Sequence, residues 1–138
     1  MIRTHRIYDS SCSPDARVLF LDCDCGYYLK KSGKGTLANE AAMTQYFHKK
    51  GLAPEVINYV SDTCDWMLTR RAKGEDCTHQ SYLDDPKRLC DTTAALLREL
   101  HGSDCADCPV NDRMSAYVRL AEENYKNKKY DLSLFSGS

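Results

Sequence analysis

Residues 27–43 read Tyr-Tyr-Leu-Lys-Lys-Ser-Gly-Lys-Gly-Thr-Leu-Ala-Asn-Glu-Ala-Ala-Met. The first residues are β-prone and apolar, which predicts a strand that ends at Lys30. Glycines at 33 and 35 break the chain, and Thr36 is the expected N-cap of a helix over residues 37–50. The segment therefore predicts a strand, a short flexible turn and a helix, with a lysine at the end of the strand.

Further strands are predicted on both sides of this segment. Five β-prone runs are expected to form strands, at residues 6–8, 17–21, 27–30, 56–60 and 66–70. The second and third should pair as a hairpin with its turn at Gly26, and the last two as another hairpin. Gly51 suits the position after a helix that needs a left-handed backbone.

The second half of the chain is predicted to be helical. Asp85 and Pro86 are a cap and a first-turn residue for one helix, which Gly102 ends. Its apolar stripe consists of Leu89, Thr93, Leu96, Leu97 and Leu100. Another helix is expected over about residues 112–126. Strands followed by helices predict an α+β fold.

Composition excludes several classes of function. The chain has 138 residues, 42% of them hydrophobic, and a net charge of −1. This size fits one domain, or a small domain with an appended element. The charge argues against nucleic acid as a partner and against a polybasic membrane anchor. An apolar run long enough for a bilayer is missing, and the first residues have no signal-peptide core, so a cytoplasmic location is expected.

Eight cysteines are many for this length. In a reducing compartment their roles are metal binding, catalysis or packing. Cys105 and Cys108 have ligand spacing, and Cys23 and Cys25 could complete a tetrahedral zinc site if folding brought them close. A small zinc module is therefore one alternative. Thiol catalysis has less support, since no cysteine has a sequence context of a histidine with an orienting acid or amide that argues for it.

A phosphate-binding loop of the P-loop type is excluded. Residues 32–36, Ser-Gly-Lys-Gly-Thr, resemble its end. Tyr28 occupies the position at which the motif requires its first glycine. Gly35 also separates the lysine from the threonine, which are adjacent in the motif.

Three other features have the order of a kinase nucleotide lobe. Lys30 ends a strand, Glu40 lies early in the next helix, and residues 66–74 pass from an apolar strand into a polar connector. Kinases use such a lysine to neutralise phosphate charge and such a glutamate to orient it. Taken alone, Lys30 and Glu40 could also be two surface charges.

The chain resembles the aminoglycoside phosphotransferase family, in particular the 3′-phosphotransferase type with a protein-kinase-like fold. The similar segments are collinear over nearly the whole chain: residues 13–18, 28–30, 40–43, 52–56, 67–74, 96–101 and 107–109. The resemblance implies a nucleotide-binding lobe at residues 1–72, with about five antiparallel strands and one helix. A connector at 73–84 and the truncated helical start of a second lobe at 85–138 would follow.

The resemblance also implies which residues contact nucleotide. Lys30 would bind the α- and β-phosphates of ATP or GTP, and Glu40 would orient it. Cys12 and Ser13 would lie over the phosphates. The choice between ATP and GTP stays open.

The base would be held at the connector. By resemblance, Arg70 would offer its backbone C=O and Ala72 its backbone N–H to the base. Thr69 would face the back of the base pocket. Because backbone groups would make these contacts, the side chains at 70 and 72 matter little.

The chain departs from the family at the catalytic loop. The family has His-Gly-Asp with an asparagine five residues beyond the aspartate, whereas here Ser103 precedes Asp104 and Pro109 lies five residues on. We therefore expect no catalytic aspartate and no ligands for Mg²⁺ in this chain, and no aminoglycoside phosphorylation by the chain alone. His101 is expected to be a helix-end residue.

Two further expectations follow. Leucines of the helix at 86–101 would be exposed without a covering lobe and would favour self-association. An alternative from another class is a noncatalytic nucleotide-binding or interaction module.

Overall fold

The structure, a computed structural model, describes residues 6–12 and 14–130. Its elements in chain order are β1 (Arg6–Asp9), β2 (Ala16–Asp22), β3 (Tyr27–Ser32), α1 (Ala38–Lys49), β4 (Val56–Ser61), β5 (Asp65–Arg70), α2 (Gln80–Leu83), α3 (Pro86–His101) and α4 (Arg113–Lys126). All five predicted strands and the three predicted long helices are present. The short helix α2 was not predicted and lies within the polar connector.

The strands form one antiparallel sheet in the order β1-β2-β3-β5-β4. The predicted α+β fold is therefore confirmed. In this register Lys30 lies opposite Val18 on β2 and Met67 on β5. Because directly paired residues share a face of a sheet, these three side chains point the same way. Helix α1 packs on this face, where Met67 is buried with Ala41.

The β2–β3 turn depends on Gly26. Its φ is +83°, a backbone conformation that residues other than glycine rarely adopt. A Cβ at this position would also lie 2.9 Å from the Phe20 ring. The N–H of Arg71 donates to the Gly26 carbonyl at 2.9 Å, so the turn also fixes the start of the connector after β5.

The capping of α1 differs from the prediction. Thr36 was expected to cap the helix, but its hydroxyl donates to the Gly33 carbonyl at 2.7 Å. The helix begins at Ala38, and Leu37 at the N-cap position has no side-chain cap bond of its own. The carboxylate of Asp65, from the start of β5, accepts the Leu37 N–H instead. The prediction of Thr36 as the cap was wrong because Asp65, which is distant in sequence, supplies the acceptor at the N-terminal end of the helix.

The other predicted helix signals are confirmed. Asp85 accepts a hydrogen bond from the Arg88 N–H, with Pro86 in the first turn of α3. Gly102 follows α3, and Gly51 after α1 has a φ of +76°.

The helical part contacts α1 through the loop between α3 and α4. The carbonyl of Asp104 accepts hydrogen bonds from the Tyr46 hydroxyl and the Lys50 ammonium, both at 2.7 Å. The predicted apolar stripe of α3 is largely uncovered: Leu96, Leu97 and Leu100 are exposed. Among the described helices, none is long and apolar enough to cross a membrane.

Candidate nucleotide-binding site

Lys30 and Glu40 form an ion pair between the sheet and α1. The lysine Nζ lies 2.9 Å from Oε1 and 2.7 Å from Oε2 of the glutamate. A lysine ammonium has three N–H donors, so this geometry leaves one for another acceptor. The lysine side chain is 27% exposed and the glutamate 43%, so the pair is open to a ligand. The arrangement fixes a positive charge at an accessible position on the central strand of the sheet.

Secondary structure explains why the pair meets. Lys30 lies on the face of β3 that α1 covers, beside the buried Met67. Glu40 lies in the first turn of α1, one turn after the buried Leu37. The packing of Leu37 and Ala41 against Met67 on β5 holds that turn over the sheet, within reach of the Lys30 side chain on the neighbouring β3. The family resemblance implied this contact, and the structure brings the two residues together.

Asp65 was missed by the sequence analysis. Its side chain is fully buried, and its two oxygens accept four hydrogen bonds. The donors are the N–H groups of Gly35 and Leu37 at 2.8 Å, the Ser61 hydroxyl at 2.6 Å and the Tyr59 hydroxyl at 3.1 Å. Burial alone would raise the pKa of Asp65, but these bonds outweigh it and lower the pKa to about 2.

A cavity lies at the connector end of the same sheet face. It has a volume of about 300 Å³ and is lined by Tyr28 and residues 71–76. Tyr28 points to the same face as Lys30, two residues away on β3, and pairs with the buried Thr69. The cavity and the ion pair therefore lie along one strand, at the distance of two residues, or about 7 Å.

Two residues predicted to contact the base lie beside this cavity. Ala72 lines it, and its backbone N–H meets no acceptor among the described residues. Arg70 precedes the cavity, and its N–H donates to the Glu55 carbonyl at 2.9 Å, so that donor is occupied. The Arg70 side chain contacts the Glu55 carboxylate and the Cys25 thiol, both at 2.9 Å.

The β1–β2 loop is held to the sheet beside Lys30. The Ser11 hydroxyl accepts the Val18 N–H at 2.9 Å, and Val18 is the β2 partner of Lys30. Cys12 follows in this loop, exposed, with its thiol 3.5 Å from the Ser10 carbonyl. The predicted contact at Ser13 lies outside the described residues. Sequence analysis missed the role of Ser11, which anchors the loop.

Comparison with known proteins agrees with this geometry. A model of the phosphotransferase enzyme family matches residues 8–136. The chain belongs to this family. The predicted resemblance is therefore confirmed, and the five-stranded sheet with α1 agrees with the N-terminal lobe of a protein-kinase-like fold.

Two relatives carry names that specify a substrate. The chain is 45% identical over 124 residues to a "Probable aminoglycoside 3'-phosphotransferase" of Lactococcus lactis subsp. lactis (strain IL1403), and the aligned part covers 89% of this chain and 47% of that protein. It is 28% identical over 98 residues to an "Aminoglycoside 3'-phosphotransferase" of Streptomyces fradiae, and this aligned part covers 70% of this chain and 37% of that protein. The chain thus spans less than half the length of these curated relatives.

The four cysteines considered for a zinc site lie in two different turns. Cys108 packs its thiol 3.7 Å from the Met43 sulfur, and its N–H donates to the Cys105 carbonyl in a turn. Cys23 is buried in the β2–β3 turn, while Cys25 contacts Arg70. Within residues 6–12 and 14–130, no group of three or more His, Cys, Asp or Glu side chains could hold a metal ion.

His101 is the last residue of α3, as predicted. Asp104 contributes its backbone carbonyl to the contact with α1 and its carboxylate to the Ala106 N–H. His101 therefore ends the helix, and Asp104 holds the loop that joins α3 to α4.

Proposed function

We propose that this chain is the nucleotide-binding portion of an aminoglycoside O-phosphotransferase, an antibiotic-resistance kinase that transfers the γ-phosphate of ATP or GTP to a drug hydroxyl. One observation carries the proposal: the Lys30–Glu40 ion pair lies on the same sheet face as the cavity beside Tyr28. Family membership and the names of the two relatives support the choice of reaction and substrate class.

Lys30 is the proposed ligand of the α- and β-phosphates. Glu40 holds two of its donors, which leaves the third for a phosphate oxygen and keeps the flexible side chain in one place. A charge-assisted hydrogen bond of this kind is about twice as strong as a neutral one. Cys12 and Ser13 are proposed to lie over the phosphates from the β1–β2 loop.

The base is proposed to occupy the connector cavity. The Tyr28 ring offers an aromatic wall, and the Phe20 ring supports it with a centroid distance of 5.1 Å. Thr69 lies behind, and the Ala72 N–H and Arg70 carbonyl are the proposed partners of the base. Tyr28 belongs to the segment 28–30 that resembles the family, but no contact was predicted for it; its position two residues before Lys30, on the same face of the strand, was the available signal.

Mg²⁺ accompanies nucleotide in kinases and prefers oxygen ligands. Glu40, the carboxylate at the site, is occupied by Lys30. The described residues offer no cluster of acidic ligands, so they do not fit this metal. We assign no metal-binding residue and no catalytic aspartate to this chain, and we propose that alone it does not phosphorylate aminoglycosides.

The chain is also proposed to self-associate. Leu96, Leu97 and Leu100 on α3 and Met114, Tyr117, Val118 and Leu120 on α4 are exposed. Exposed apolar area of this extent tends to find a partner.

Nucleotide and reduced thiols are both available in the cytoplasm, where we propose that the protein acts. The lobe boundaries at residues 72 and 84 stay predictions.

Titration of the chain with ATP and with GTP tests the proposal. We expect saturable binding of at least one nucleotide and its loss in Lys30→Ala. Absence of binding to the wild-type chain by calorimetry would contradict the proposed function.

A noncatalytic nucleotide-binding module is the second candidate. It is favoured by the sequence after His101, which lacks the aspartate of the catalytic motif. Both candidates bind nucleotide, so the coding sequence after Ser138 separates them. A downstream His-Gly-Asp reading frame supports the enzyme.

A further inference from the structure

Asp65 joins three parts of the nucleotide lobe. It begins β5, and its carboxylate accepts bonds from Gly35 and Leu37 in the β3–α1 loop. On the other side it accepts bonds from Tyr59 and Ser61 on β4. The side chain is fully buried, so protein donors rather than water satisfy it.

The loop that Asp65 holds is the covalent link between Lys30 and Glu40. Lys30 lies two residues before Ser32, which pairs directly with Asp65 in the sheet. Glu40 lies three residues after Leu37, whose N–H Asp65 accepts at 2.8 Å. The end of β3, through strand pairing, and the start of α1, through the carboxylate, are therefore both positioned against the same residue.

The far end of α1 has separate anchors. Tyr46 and Lys50 donate to the Asp104 carbonyl, and the Cys108 thiol contacts Met43. Without Asp65, the C-terminal half of α1 keeps these contacts while the first turn loses its cap. A displacement of about 1 Å in that turn would separate groups that now lie 2.7 Å apart, and such shifts are large for positioned groups.

We propose that Asp65 is a positioning residue for the phosphate site, acting on the Lys30 ammonium through the first turn of α1 and Glu40. Its effect on nucleotide rests on the proposed function, whereas its effect on the ion pair does not. Asp65 touches neither the ammonium nor the proposed phosphate position, because its oxygens are occupied by loop and strand donors.

The ion pair can be read directly by cross-linking. A water-soluble carbodiimide activates a carboxylate, and an adjacent amine then displaces the activating group to form an amide, with net loss of one water. Mass spectrometry of the digested chain measures the Lys30–Glu40 cross-link. We expect Asp65→Asn to lower its yield about tenfold, because the uncapped turn moves Glu40 away from Lys30.

Asp85→Ala is the matched control. Asp85 also caps a helix, α3, by accepting the Arg88 N–H, and among the described residues its side chain makes no hydrogen bond to α1. The control is expected to retain the wild-type cross-link yield. An unchanged yield in folded Asp65→Asn, or an equal loss in Asp85→Ala, overturns the proposal.

A milder variant covers the case in which Asp65→Asn does not fold. Tyr59→Phe combined with Ser61→Ala removes both β4 donors to Asp65. It keeps the Asp65 carboxylate and the aromatic ring at position 59. We expect an intermediate loss of cross-link, and wild-type yield in this double variant overturns the proposal.

Nucleotide titration of the same proteins separates the two hypotheses. If the wild-type chain binds no nucleotide, the proposed function fails, while the cross-link yields still decide the role of Asp65. If the wild-type chain binds nucleotide, Asp65→Asn should weaken ATP binding about tenfold in the wild-type background. In the Glu40→Gln background the same substitution should weaken ATP binding little further. Full additivity of the two losses overturns an action through Glu40.

Discussion

Lys30 and Lys31 are neighbours in β3 but lie on opposite faces of the sheet. The Lys30 ammonium binds both oxygens of Glu40, whereas the Lys31 ammonium lies 5.0 Å from the centre of the Trp66 ring. Strand alternation gives these two identical side chains different surroundings. The pair therefore offers a built-in comparison between a charge at the proposed site and a charge outside it.

Gly26→Ala should destabilise the fold. The residue has a φ of +83°, and a new Cβ would lie 2.9 Å from the Phe20 ring. We expect a loss of about 2 kcal/mol in the free energy of unfolding, from backbone strain and the clash together. Gly35→Ala is the control, since its φ is +78° but nothing lies within 4 Å. Urea denaturation should show the smaller loss for Gly35→Ala; equal losses would exclude the close approach of Phe20.

Acid should remove the contribution of Asp65 to stability. Its folded-state pKa of about 2 lies below the usual 3.8. The folded protein therefore holds the carboxylate charged when the unfolded chain already binds a proton. This stabilisation is complete above about pH 4 and is lost as the pH falls through about 2.

The pH dependence can be isolated with Asp65→Asn. Hydrogen bonds from Ser11 lower the pKa of Asp9 and those from Thr78 lower that of Asp76, so other carboxylates add to the slope in both proteins. The difference in unfolding free energy between wild type and variant should shrink from pH 5 towards pH 2. A difference that stays constant over this interval would contradict the lowered pKa.

Ala72→Pro should weaken the base contact. Proline removes the backbone N–H that is the proposed donor to the base. We expect about tenfold weaker ATP binding and unchanged binding of inorganic tripolyphosphate. Ala72→Gly, which keeps the N–H, serves as control. Parallel losses for ATP and tripolyphosphate would show a general disturbance of the connector.

Leu97→Ser should reduce self-association. Leu97 is 46% exposed on α3 and belongs to the uncovered apolar stripe. Sedimentation at increasing concentration should show mass growth in the wild type and less in the variant. Leu83→Ser, at an exposed leucine on α2, is the comparison. A wild-type mass that stays monomeric at every concentration would exclude this association.

Local sequence signals predicted the elements whose determinants are local. Gly26 between two β-prone runs gave the hairpin, and Asp85 with Pro86 gave the start of α3. The contact between Lys30 and Glu40 was implied by the family resemblance, and the packing of the apolar face of α1 on the sheet explains why they meet.

The missed features depend on contacts distant in sequence. Thr36 satisfied the local rule for a helix cap, but Asp65, about thirty residues further on, supplies the acceptor. A propensity rule does not include such a partner. The cavity beside Tyr28 likewise forms only when β3 and β5 pair, which brings Tyr28 next to the connector.

The central claim is that Lys30 receives the phosphates of a nucleotide. The most direct test is the affinity of Lys30→Ala and Lys31→Ala for ATP and for adenosine. Lys30→Ala should lose at least about tenfold in ATP affinity, since a hydrogen bond to a charged group contributes about 1.5–3 kcal/mol, and should keep its affinity for adenosine. Lys31→Ala should match the wild type for both ligands. Equal ATP affinity in the two variants would contradict the claim.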